Sequence, residues 1–504
     1  MKSLYSLLNA RFGRPVSLED RRRALKITLA ASAGLLLSGP AYAFSRRAGK
    51  RVVVVGGGFS GLACGHELSA AGYDVTVLEA RNRLGGRILS FKDFINGRNI
   101  EGGGELIGSN HPAWVAYAKK FDLEFLDVSE DEGLDLPIVL NGKLLSMEDS
   151  KKLWDDLEAA HAFMNEDAKA VDEDEPWKTP NAAVLDRRSL KDWIDGLQVS
   201  DTCKIGLAIE NAANNGQAVD KQSYLGQLAQ IKGGGIEKYW TDSEVYRCKG
   251  GNQQLAFKLA ETLKDRVILG LPVTAIAPKG DGAVVTCKDG RTLECDDVVL
   301  AIPPTTWKKI DLKGGIPGAL SPQMGINVKY LSHVKRRFWA DKKLSQYGLT
   351  DADVAMTWDG TDGQEGDAPA CLSVFAGGPA AERARARDAD GRKAEYAKEL
   401  EMLFPGYGEN VVDTRFMDWP SEQWTGAGYS FPAPGQVTTV GPLLARGLGR
   451  IHFAGEHCCY KFVGYMEGAL QSGIAVAKRL STRDGLVKPE APRPAAPAKQ
   501  PAGA

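Results

Sequence analysis

A glycine-rich turn near residue 56 has the spacing of a site that binds a dinucleotide. Its sequence is Val52-Val53-Val54-Val55-Gly56-Gly57-Gly58-Phe59-Ser60-Gly61. Gly56 permits a tight turn, Gly58 lets the backbone approach a pyrophosphate, and Gly61 allows the next helix to pack closely on the strand. Glu79 follows at the offset of about 20 residues at which an acid binds a ribose hydroxyl. A glycine loop without a ligand would not need this acid.

A second glycine turn favours FAD over NAD as the dinucleotide. The stretch Leu84-Gly85-Gly86-Arg87 comes directly after the acid and carries an arginine. A longer cofactor, whose pyrophosphate benefits from a further cation, accounts for this second turn. The unpaired N–H groups at the start of the helix would bind the phosphates.

These residues must be held by alternating strands and helices. The first strand is predicted at 52–55 and the second at Asp74–Leu78, with a helix between them. Helices are then predicted at Trp114–Phe121, Ser150–Phe163 and Ser189–Leu197. Alternating apolar residues predict strands at Val267–Leu269, Val273–Ile276, Ala283–Cys287 and Asp297–Pro303, which we assign to the nucleotide domain. A strand at Ile451–Glu456 and a helix at Glu467–Leu480 close the pattern.

The order of these elements predicts an α/β fold made of two interleaved domains. The first is a Rossmann-like FAD-binding domain, built from residues 48–105, 244–305 and 440–482. The second is an α+β substrate domain, built from residues 106–243 and 306–439. The Pro/Ala-rich tail, residues 483–504, is predicted to be disordered.

Composition argues against nucleic-acid binding and against a metal site. The chain has 504 residues, a net charge of -1 and 25% charged residues, so nothing indicates nucleic acid as a partner. The eight cysteines show no framework spacing and no C-x-x-C pair, which argues against a metal site and leaves disulfide pairing open. The oligomeric state is also open, a homodimer included.

The N-terminal 43 residues have the pattern of an export signal. Arg21-Arg22-Arg23 precedes a short apolar run from Ile27 to Leu37, and Ala41-Tyr42-Ala43 forms an A-x-A cleavage site. The paired arginines indicate the twin-arginine translocase and a periplasmic destination. That route carries folded proteins, which suits a chain that binds its cofactor in the cytoplasm. The alternative is a basic helix start followed by a core helix.

Over residues 50–482 the chain resembles the flavin-dependent amine oxidases, which include monoamine, polyamine and L-amino-acid oxidases. The resemblance rests on five places: the glycine turns with Arg81 and Arg87, Lys249–Leu255, Met324–Lys329 with Phe338-Trp339, Trp419–Tyr429, and Gly449–Glu456 with Gly464–Ala469. It implies an FAD-binding domain of the type found in glutathione reductase and amine oxidases.

The resemblance also implies which residues hold the cofactor. Glu456 is similar to the acid that binds the ribityl chain, and the N–H of Met466 would face the flavin O2 side, where negative charge develops on reduction. The full set of implied cofactor residues is Gly56, Gly58, Ser60, Gly61, Glu79, Ala80, Arg81, Gly86, Arg87, Gly104, Glu105, Val273, Gly455, Glu456, Tyr465 and Met466.

Three residues carry the catalytic roles that the resemblance implies. Lys329 corresponds to the lysine that contacts flavin N5 through a water in this family. It would stabilise negative charge on O₂ or position the water that hydrolyses the imine. Tyr429 and Tyr465 match the two facing rings that form a slot for the amine. The alternatives are a solvent-facing strand lysine and tyrosines that only pack in the core.

Two departures from the family pattern bear on cofactor and substrate. Gly428 stands where monoamine oxidases have the cysteine that bonds the flavin, so FAD is predicted to be non-covalent. The arginine that pairs the substrate carboxylate in many L-amino-acid oxidases is missing, and Glu105 lies in that turn. Glu105 would either attract a second positive charge on the substrate or bind backbone N–H groups.

The sequence thus predicts an oxidoreductase that takes a hydride from the carbon bearing an amine. The imine would hydrolyse to a carbonyl compound and ammonia or a smaller amine, with O₂ or a periplasmic cytochrome as acceptor. Amines and L-amino acids remain as substrate classes. The alternative function is a flavoprotein without amine chemistry, either a desaturase-like enzyme or an electron carrier. His111, His333 and His457 lack a partner pattern and are predicted to be structural.

Overall fold

The computed structural model describes residues 3–13, 16–39, 42, 49–129 and 133–488. Positions 41 and 43 of the predicted cleavage site lie outside the described residues. Residues 489–504 of the tail that was predicted to be disordered lie outside them as well.

The described chain contains strands and helices in alternation. The strands are β1 Arg51–Val55, β2 Asp74–Leu78, β3 Ser90–Phe91, β4 Ile100–Glu101, β5 Phe125–Asp127, β6 Ile138–Leu140, β7 Lys143–Leu144, β8 Tyr246–Cys248, β9 Val267–Ile268, β10 Val273–Lys279, β11 Gly282–Cys287, β12 Thr292–Cys295, β13 Asp297–Leu300, β14 Asp311–Leu312, β15 Asn327–Val334, β16 Gly348–Thr350, β17 Met356–Asp359, β18 Ala370–Gly377, β19 Val411–Asp418 and β20 Ile451–Phe453.

The α-helices follow the same chain order. They are α1 Leu4–Phe12, α2 Leu18–Ala31, α3 Phe59–Ala70, α4 Pro112–Phe121, α5 Met147–Ala168, α6 Ala182–Arg187, α7 Leu190–Asp195, α8 Asp201–Asn215, α9 Tyr224–Gly233, α10 Glu237–Asp242, α11 Gln254–Leu263, α12 Pro379–Ala386, α13 Ala389–Leu403, α14 Tyr407–Asn410, α15 Gln436–Thr439, α16 Gly441–Arg446 and α17 Met466–Arg483.

A five-stranded parallel sheet in the order β20-β13-β1-β2-β9 forms the centre of one domain. Val52 pairs with Val75 on one side and Asp297 on the other. Four of the five residues of β1 are buried, as expected for a parallel strand that is covered on both faces. Helices α3, α11 and α17 share an apolar cluster on one face of this sheet. The predicted α/β class with a parallel core is confirmed.

The strands predicted between residues 267 and 303 do not all join the parallel sheet. Strands β9 and β13 join it, but β10, β11 and β12 form a separate four-stranded sheet with β14. This sheet packs on the other face of the parallel one, where Val285 and Ile276 share a cluster with Val53 and Val55. Their assignment to the nucleotide domain stays a prediction. The apolar alternation was real, because each strand buries one face.

A seven-stranded sheet in the order β19-β15-β18-β17-β16-β6-β7 forms the second domain with helices from α5 to α10. Strand β15, the second in this order, pairs antiparallel with both neighbours, so Lys329 lies opposite Phe375 and Met417. Strands β6 and β7 lie between the helices that were predicted at Trp114–Phe121 and Ser150–Phe163. The domain boundaries stay a prediction. Helix α4, from the predicted substrate segment, packs in the same cluster as α3 and α17.

The N-terminal helices lie against both domains. Leu4 and Leu8 of α1 are buried in the core of the second domain, and Leu36 and Leu37 are buried in the core of the first. In the part of the chain that the structure describes, no helix is both long and apolar enough for a membrane span. The export role of this region stays a prediction.

Candidate active site

A single long cavity connects the glycine turn to the two predicted catalytic tyrosines. Gly56 and Glu79 border one end of it, and Tyr429 and Tyr465 border the other, with Lys329 between them. All of the predicted cofactor residues except Gly61 line it directly. The fold thus brings together residues that are separated by up to about 400 positions in the chain.

The glycine turn has the geometry that the sequence predicts. Gly56 has a φ of 115°, which strongly favours glycine at this position. A Cβ on Gly61 would overlap the carbonyl oxygen of Gly56, so only glycine allows α3 to approach the strand this closely. Gly58 begins α3 without a side-chain cap. The first N–H groups of the helix are therefore available to a phosphate.

Glu79 lies at the end of β2 and faces the turn. Its carboxylate accepts hydrogen bonds from the N–H of Gly57 at 2.7 Å and of Arg81 at 2.8 Å. Ala80 and Val273 line the cavity beside it. This is the position from which an acid can bind the ribose of a dinucleotide.

Two arginines link the glycine turns to the second domain. Arg81 donates to Glu422 and, at 2.8 Å, to the hydroxyl of Thr425. Arg87 donates to Oε1 of Glu456 at 2.8 Å and to a backbone carbonyl at 2.9 Å. Burial alone would raise the pKa of Glu456, but the charge of Arg87 and several hydrogen bonds lower it. Glu456 is therefore held ionised.

The residues of this half of the cavity fit FAD. A Cβ on Gly58 would meet no atom closer than 3.9 Å, which leaves room for a ligand at the start of α3. Nε of Arg81 and both ring nitrogens of His457 are buried without a hydrogen-bond partner among the described residues. Both side chains border the cavity. A polar ligand that reaches past the glycine turn would satisfy them.

The start of α17 faces the middle of the cavity. Tyr465 precedes the helix and offers no side-chain cap, so the N–H of Met466 and its neighbours remain directed at the cavity end of the helix. Gly104 packs here, because a Cβ on it would lie 2.7 Å from Ile88 and 3.1 Å from Met466. The contact of the Met466 N–H with the flavin stays a prediction.

Lys329 is buried and ion-paired instead of facing solvent. Its Nζ donates to Oε2 of Glu105 at 2.6 Å and to the carbonyl oxygen of Glu101 at 3.1 Å. It also lies 5.2 Å from the ring centre of Trp358. The alternative of a solvent-facing strand lysine is wrong for this structure, since the side chain is only 6% exposed.

The carboxylate of Glu105 contacts two cations of the protein, Lys329 and Arg247. Neither of the two roles predicted for Glu105, binding a second charge on the substrate or binding backbone N–H groups, includes these contacts. Arg247 approaches Oε1 at 2.7 Å, and the indole N–H of Trp358 donates to the same oxygen at 2.8 Å. Burial alone would raise the pKa of Glu105, but Lys329 and Arg247 together lower it. The neighbouring Glu101 lacks a cation, and burial raises its pKa to about 7.

The two tyrosines border the far half of the cavity. Tyr429 donates to the carbonyl of Asn214 and accepts from Nδ2 of Asn327 at 3.1 Å. Tyr465 packs edge-on against His111, with ring centres 5.5 Å apart. Burial raises the pKa of both tyrosine hydroxyls well above 10, so both are neutral. Among the described residues no ring contact joins the two tyrosines, and both line the cavity.

Sequence reasoning missed the polar residues at this end. Asn214 and Asn215 come from the last turn of α8, Tyr239 from α10, and Glu244 from the loop before β8. They lie at least 185 positions from Tyr429 and Tyr465 and show no local motif. Arg247 and Trp358 were missed for the same reason. Only the three-dimensional fold brings them to the cavity or, in the case of Arg247, to Glu105 beside it.

The remaining candidate residues have structural surroundings. His111 accepts a hydrogen bond from Gly108 through Nδ1 at 2.9 Å, and His333 lies in β15. All eight cysteines are free thiols, and burial raises the pKa of Cys458 well above 9 and that of Cys459 to about 12. No group of metal-binding side chains occurs among the described residues.

Comparisons with known proteins agree on one family. The family model described as flavin containing amine oxidoreductase matches residues 59–481. Amine oxidase [flavin-containing] A of Sus scrofa is 28% identical over 473 residues, 86% of each chain. An L-amino acid dehydrogenase of Synechocystis sp. is 28% identical over 452 residues, 85% of this chain and 94% of the relative.

Solved structures show the same fold. Putrescine oxidase bound to putrescine superposes with a TM-score of 0.78 at 26% identity, covering 86% of this chain and 99% of that one. Cyclohexylamine oxidase from Brevibacterium oxydans superposes with a TM-score of 0.77 at 24% identity, over the same shares of the two chains.

Proposed function

This chain belongs to the flavin-containing amine oxidoreductases, enzymes that use FAD to oxidise a C–N bond, and we propose that it oxidises small amines between Tyr429 and Tyr465. The observation that carries the proposal is the buried Lys329–Glu105 pair beside the cavity that these tyrosines border. Bound FAD would supply the two-electron acceptor for a hydride from the carbon that bears nitrogen.

The chain's own residues hold the cofactor at both ends. The glycine turn and the start of α3 would bind the pyrophosphate, and Glu79 would bind the adenosine ribose. Arg87 fixes Glu456 at the middle of the cavity by the 2.8 Å ion pair. The start of α17 directs its N–H groups to the same region, where they favour negative charge.

The two tyrosines orient the amine and keep water out. Their faces attract a nitrogen that carries partial or full positive charge. The cavity as a whole is lined mainly by apolar surface, which disfavours the ammonium form and favours the neutral amine that can lose a hydride. Their neutral hydroxyls are tied to Asn327, Asn214 and Tyr239, so the rings have fixed positions.

Lys329 holds a positive charge at a fixed point of the cavity. Glu105 and the carbonyl of Glu101 orient its ammonium, which leaves one N–H available to a water molecule. A water held there can attack the imine carbon and give a carbonyl compound and ammonia or a smaller amine. The same charge would stabilise negative charge that develops on an oxidant such as O₂.

The substrate is an amine in preference to an L-amino acid. An amino acid needs a cation for its carboxylate, and the nearest buried arginine, Arg247, is occupied by Glu105 and by the carbonyls of Asp359 and Asp362. The far end of the cavity instead carries the carboxyl group of Glu244. Glu244 offers no positive charge to a carboxylate, whereas its oxygens can accept hydrogen bonds from an amine.

The proposal also includes the electron acceptor of the reaction and the cellular location of the enzyme. The electrons would pass to O₂, giving H₂O₂, or to a periplasmic electron carrier. Export by the twin-arginine translocase is supported by Arg22 and Arg23, which are exposed on α2. The supporting sequence pattern is the basic and apolar order of the N-terminal region.

Anaerobic reduction of the bound flavin tests the function directly. Purified holoenzyme is mixed with linear amines, benzylamine, diamines and L-amino acids, and the absorbance near 450 nm, the usual band of an oxidised flavin, is followed. We expect bleaching with amines and much slower bleaching with amino acids. No bleaching with any of them would leave the desaturase-like or electron-carrier function. Admitting O₂ to the reduced enzyme and measuring peroxide distinguishes an oxidase from a dehydrogenase.

A further inference from the structure

Helix α1 is part of the core of the second domain. Leu4 and Leu8 are each only 1% exposed, and they share an apolar cluster with Leu153, Trp154 and Leu207. The helix lies in the region that sequence analysis assigned to a removable signal. A segment that served only as a removable export signal would not need to bury these side chains.

Polar and aromatic contacts fix the position of α1. The N–H of Leu4 donates to Oε1 of Glu210 at 2.7 Å, and the hydroxyl of Ser3 donates to the carbonyl of Trp240 at 3.0 Å. The ring centre of Tyr5 lies 4.9 Å from those of both Trp154 and His161. Such contacts define one orientation of the helix, because hydrogen bonds and edge-on rings are directional.

The first turn of α1 borders a second cavity directly behind the catalytic tyrosine. Ser3 and Ser6 line this small polar cavity. It shares five lining residues with the main cavity: Asn214, Asn215, Tyr239, Glu244 and Tyr465. The two spaces are therefore neighbours, separated only by these side chains, and α1 stands at the outer side.

The same N-terminal region is anchored again at its other end. Leu37 is 1% exposed in the core of the first domain, and Ser38 donates to Glu67 through its N–H at 2.6 Å and its hydroxyl at 2.9 Å. Arg22 and Arg23, between the two anchors, are exposed. The region can thus present its arginines while both of its apolar ends remain buried.

We propose that helix α1 is a permanent outer wall of the substrate cavity and limits the length of amine that the enzyme accepts. This rests on the proposed function, since the ligand is taken to be an amine bound beside Tyr465. A long amine reaches the polar cavity behind Tyr465, where the first turn of α1 ends the available space. The exported enzyme accordingly keeps residues 4–12.

A larger side chain on α1 tests whether this helix limits the length of the amine that the enzyme accepts. The variant Ser6→Phe fills the second cavity, while Arg11→Phe places the same ring on an exposed position of α1 outside both cavities. We measure kcat/KM for linear primary amines of increasing length. In Ser6→Phe the ratio of long-chain to short-chain kcat/KM should fall by about tenfold or more, which is the effect of a few excluded methylenes. Arg11→Phe should keep the native ratio.

Equal ratios in the two variants would overturn the proposal. If the native enzyme oxidises no amine, the proposed function fails. In that case the binding of the same amines is measured through the change that they cause in the flavin absorbance. Length selectivity that is identical in Ser6→Phe and Arg11→Phe would still refute the wall, and a difference would support it without any turnover.

Deletion of residues 1–13 gives a readout that needs no substrate. Thermal unfolding of the truncated holoenzyme should occur at least about 5 °C below that of the full chain. The reason is that the deletion exposes the apolar side chains that Leu4 and Leu8 cover. Mass spectrometry of enzyme exported from a bacterial host should find residues 4–12 still attached. An unchanged Tm, or an active exported enzyme that begins after residue 43, would contradict the proposal.

Discussion

The ammonium of Lys329 lies 2.6 Å from Oε2 of Glu105, and this buried pair joins two segments that are 224 residues apart. Glu105 follows the predicted cofactor-binding glycine turns, whereas Lys329 belongs to strand β15 of the seven-stranded sheet. The pair therefore fixes the substrate domain against the cofactor domain at the reacting end of the cavity. Arg247 makes a further contact with Oε1 of Glu105 and so stabilises this pair.

Removing the charge of Lys329 should lower turnover more than amine binding. For Lys329→Met we expect kcat to fall by about 10²–10³-fold, the usual effect of losing one preorganised charge at a reacting centre. Stopped-flow measurement of flavin reduction and reoxidation would show which half-reaction slows. Lys335→Met, a change at an exposed lysine just after the same strand, is the matched control. A Lys329→Met enzyme with native rates in both half-reactions would contradict the role.

The Glu105 carboxylate should contribute to stability only above a certain pH. Its pKa is lowered by Lys329 and Arg247 below the ordinary value of 4.5, so the folded state prefers the ionised form. The contribution is therefore complete above about pH 5 and is lost as pH falls below 4.5 and through the folded pKa. In Glu105→Gln, Tm should lose this part of its dependence below about pH 5. Parallel Tm curves for native and variant enzyme in that range would contradict the assignment.

Much of the cofactor half could be predicted from sequence because its signals are local. Gly56, Gly61 and Glu79 act within about 25 residues of one another, and the spacing alone specifies strand, turn and helix. The strand Asp74–Leu78 was predicted at its observed limits. Each of these elements needs only its neighbours in the chain to be recognised.

The substrate half could not be predicted in the same way. Strand β15 is buried at seven of its eight positions, so it shows none of the alternation that marks a half-exposed strand. Glu105 meets Arg247 and Trp358 only after the sheet and β8 are assembled. The docking of α1 was hidden because its region carries a strong export pattern, which explains the same residues without any packing.

The aromatic slot should depend on ring faces more than on hydroxyl groups. Tyr465→Phe keeps the ring and removes only the contact with Tyr239, so kcat/KM should change by less than about fivefold. Tyr465→Ala removes the face that attracts the amine, and kcat/KM should fall by about 10–100-fold, in line with the loss of a desolvated cation–π contact worth about 2 kcal/mol. Steady-state kinetics on one amine measures both. Equal losses in the two variants would assign the effect to the hydroxyl instead.

The glycine turn should tolerate no added methyl group at Gly61. In Gly61→Ala the new Cβ would overlap the carbonyl of Gly56, which pushes α3 away from the strand. We expect the flavin-to-protein ratio after desalting to fall to a small fraction of the native value. Gly318→Ala is the control, because a Cβ there meets no atom within 4 Å and its φ is not positive. Full flavin content in Gly61→Ala would show that the helix does not need this close approach.

The flavin should be released intact when the protein is denatured. Gly428 lines the cavity but has no side chain that could form a bond to the flavin, and its carbonyl accepts a hydrogen bond from Arg87 at 2.9 Å. Acid precipitation of the holoenzyme should therefore leave a yellow supernatant and a colourless pellet. Introducing a thiol alone should not create a covalent link, since a Cβ at this position would overlap Oδ1 of Asn327. In Gly428→Cys we expect less bound flavin, still released by acid, whereas flavin retained in the native pellet would contradict non-covalent binding.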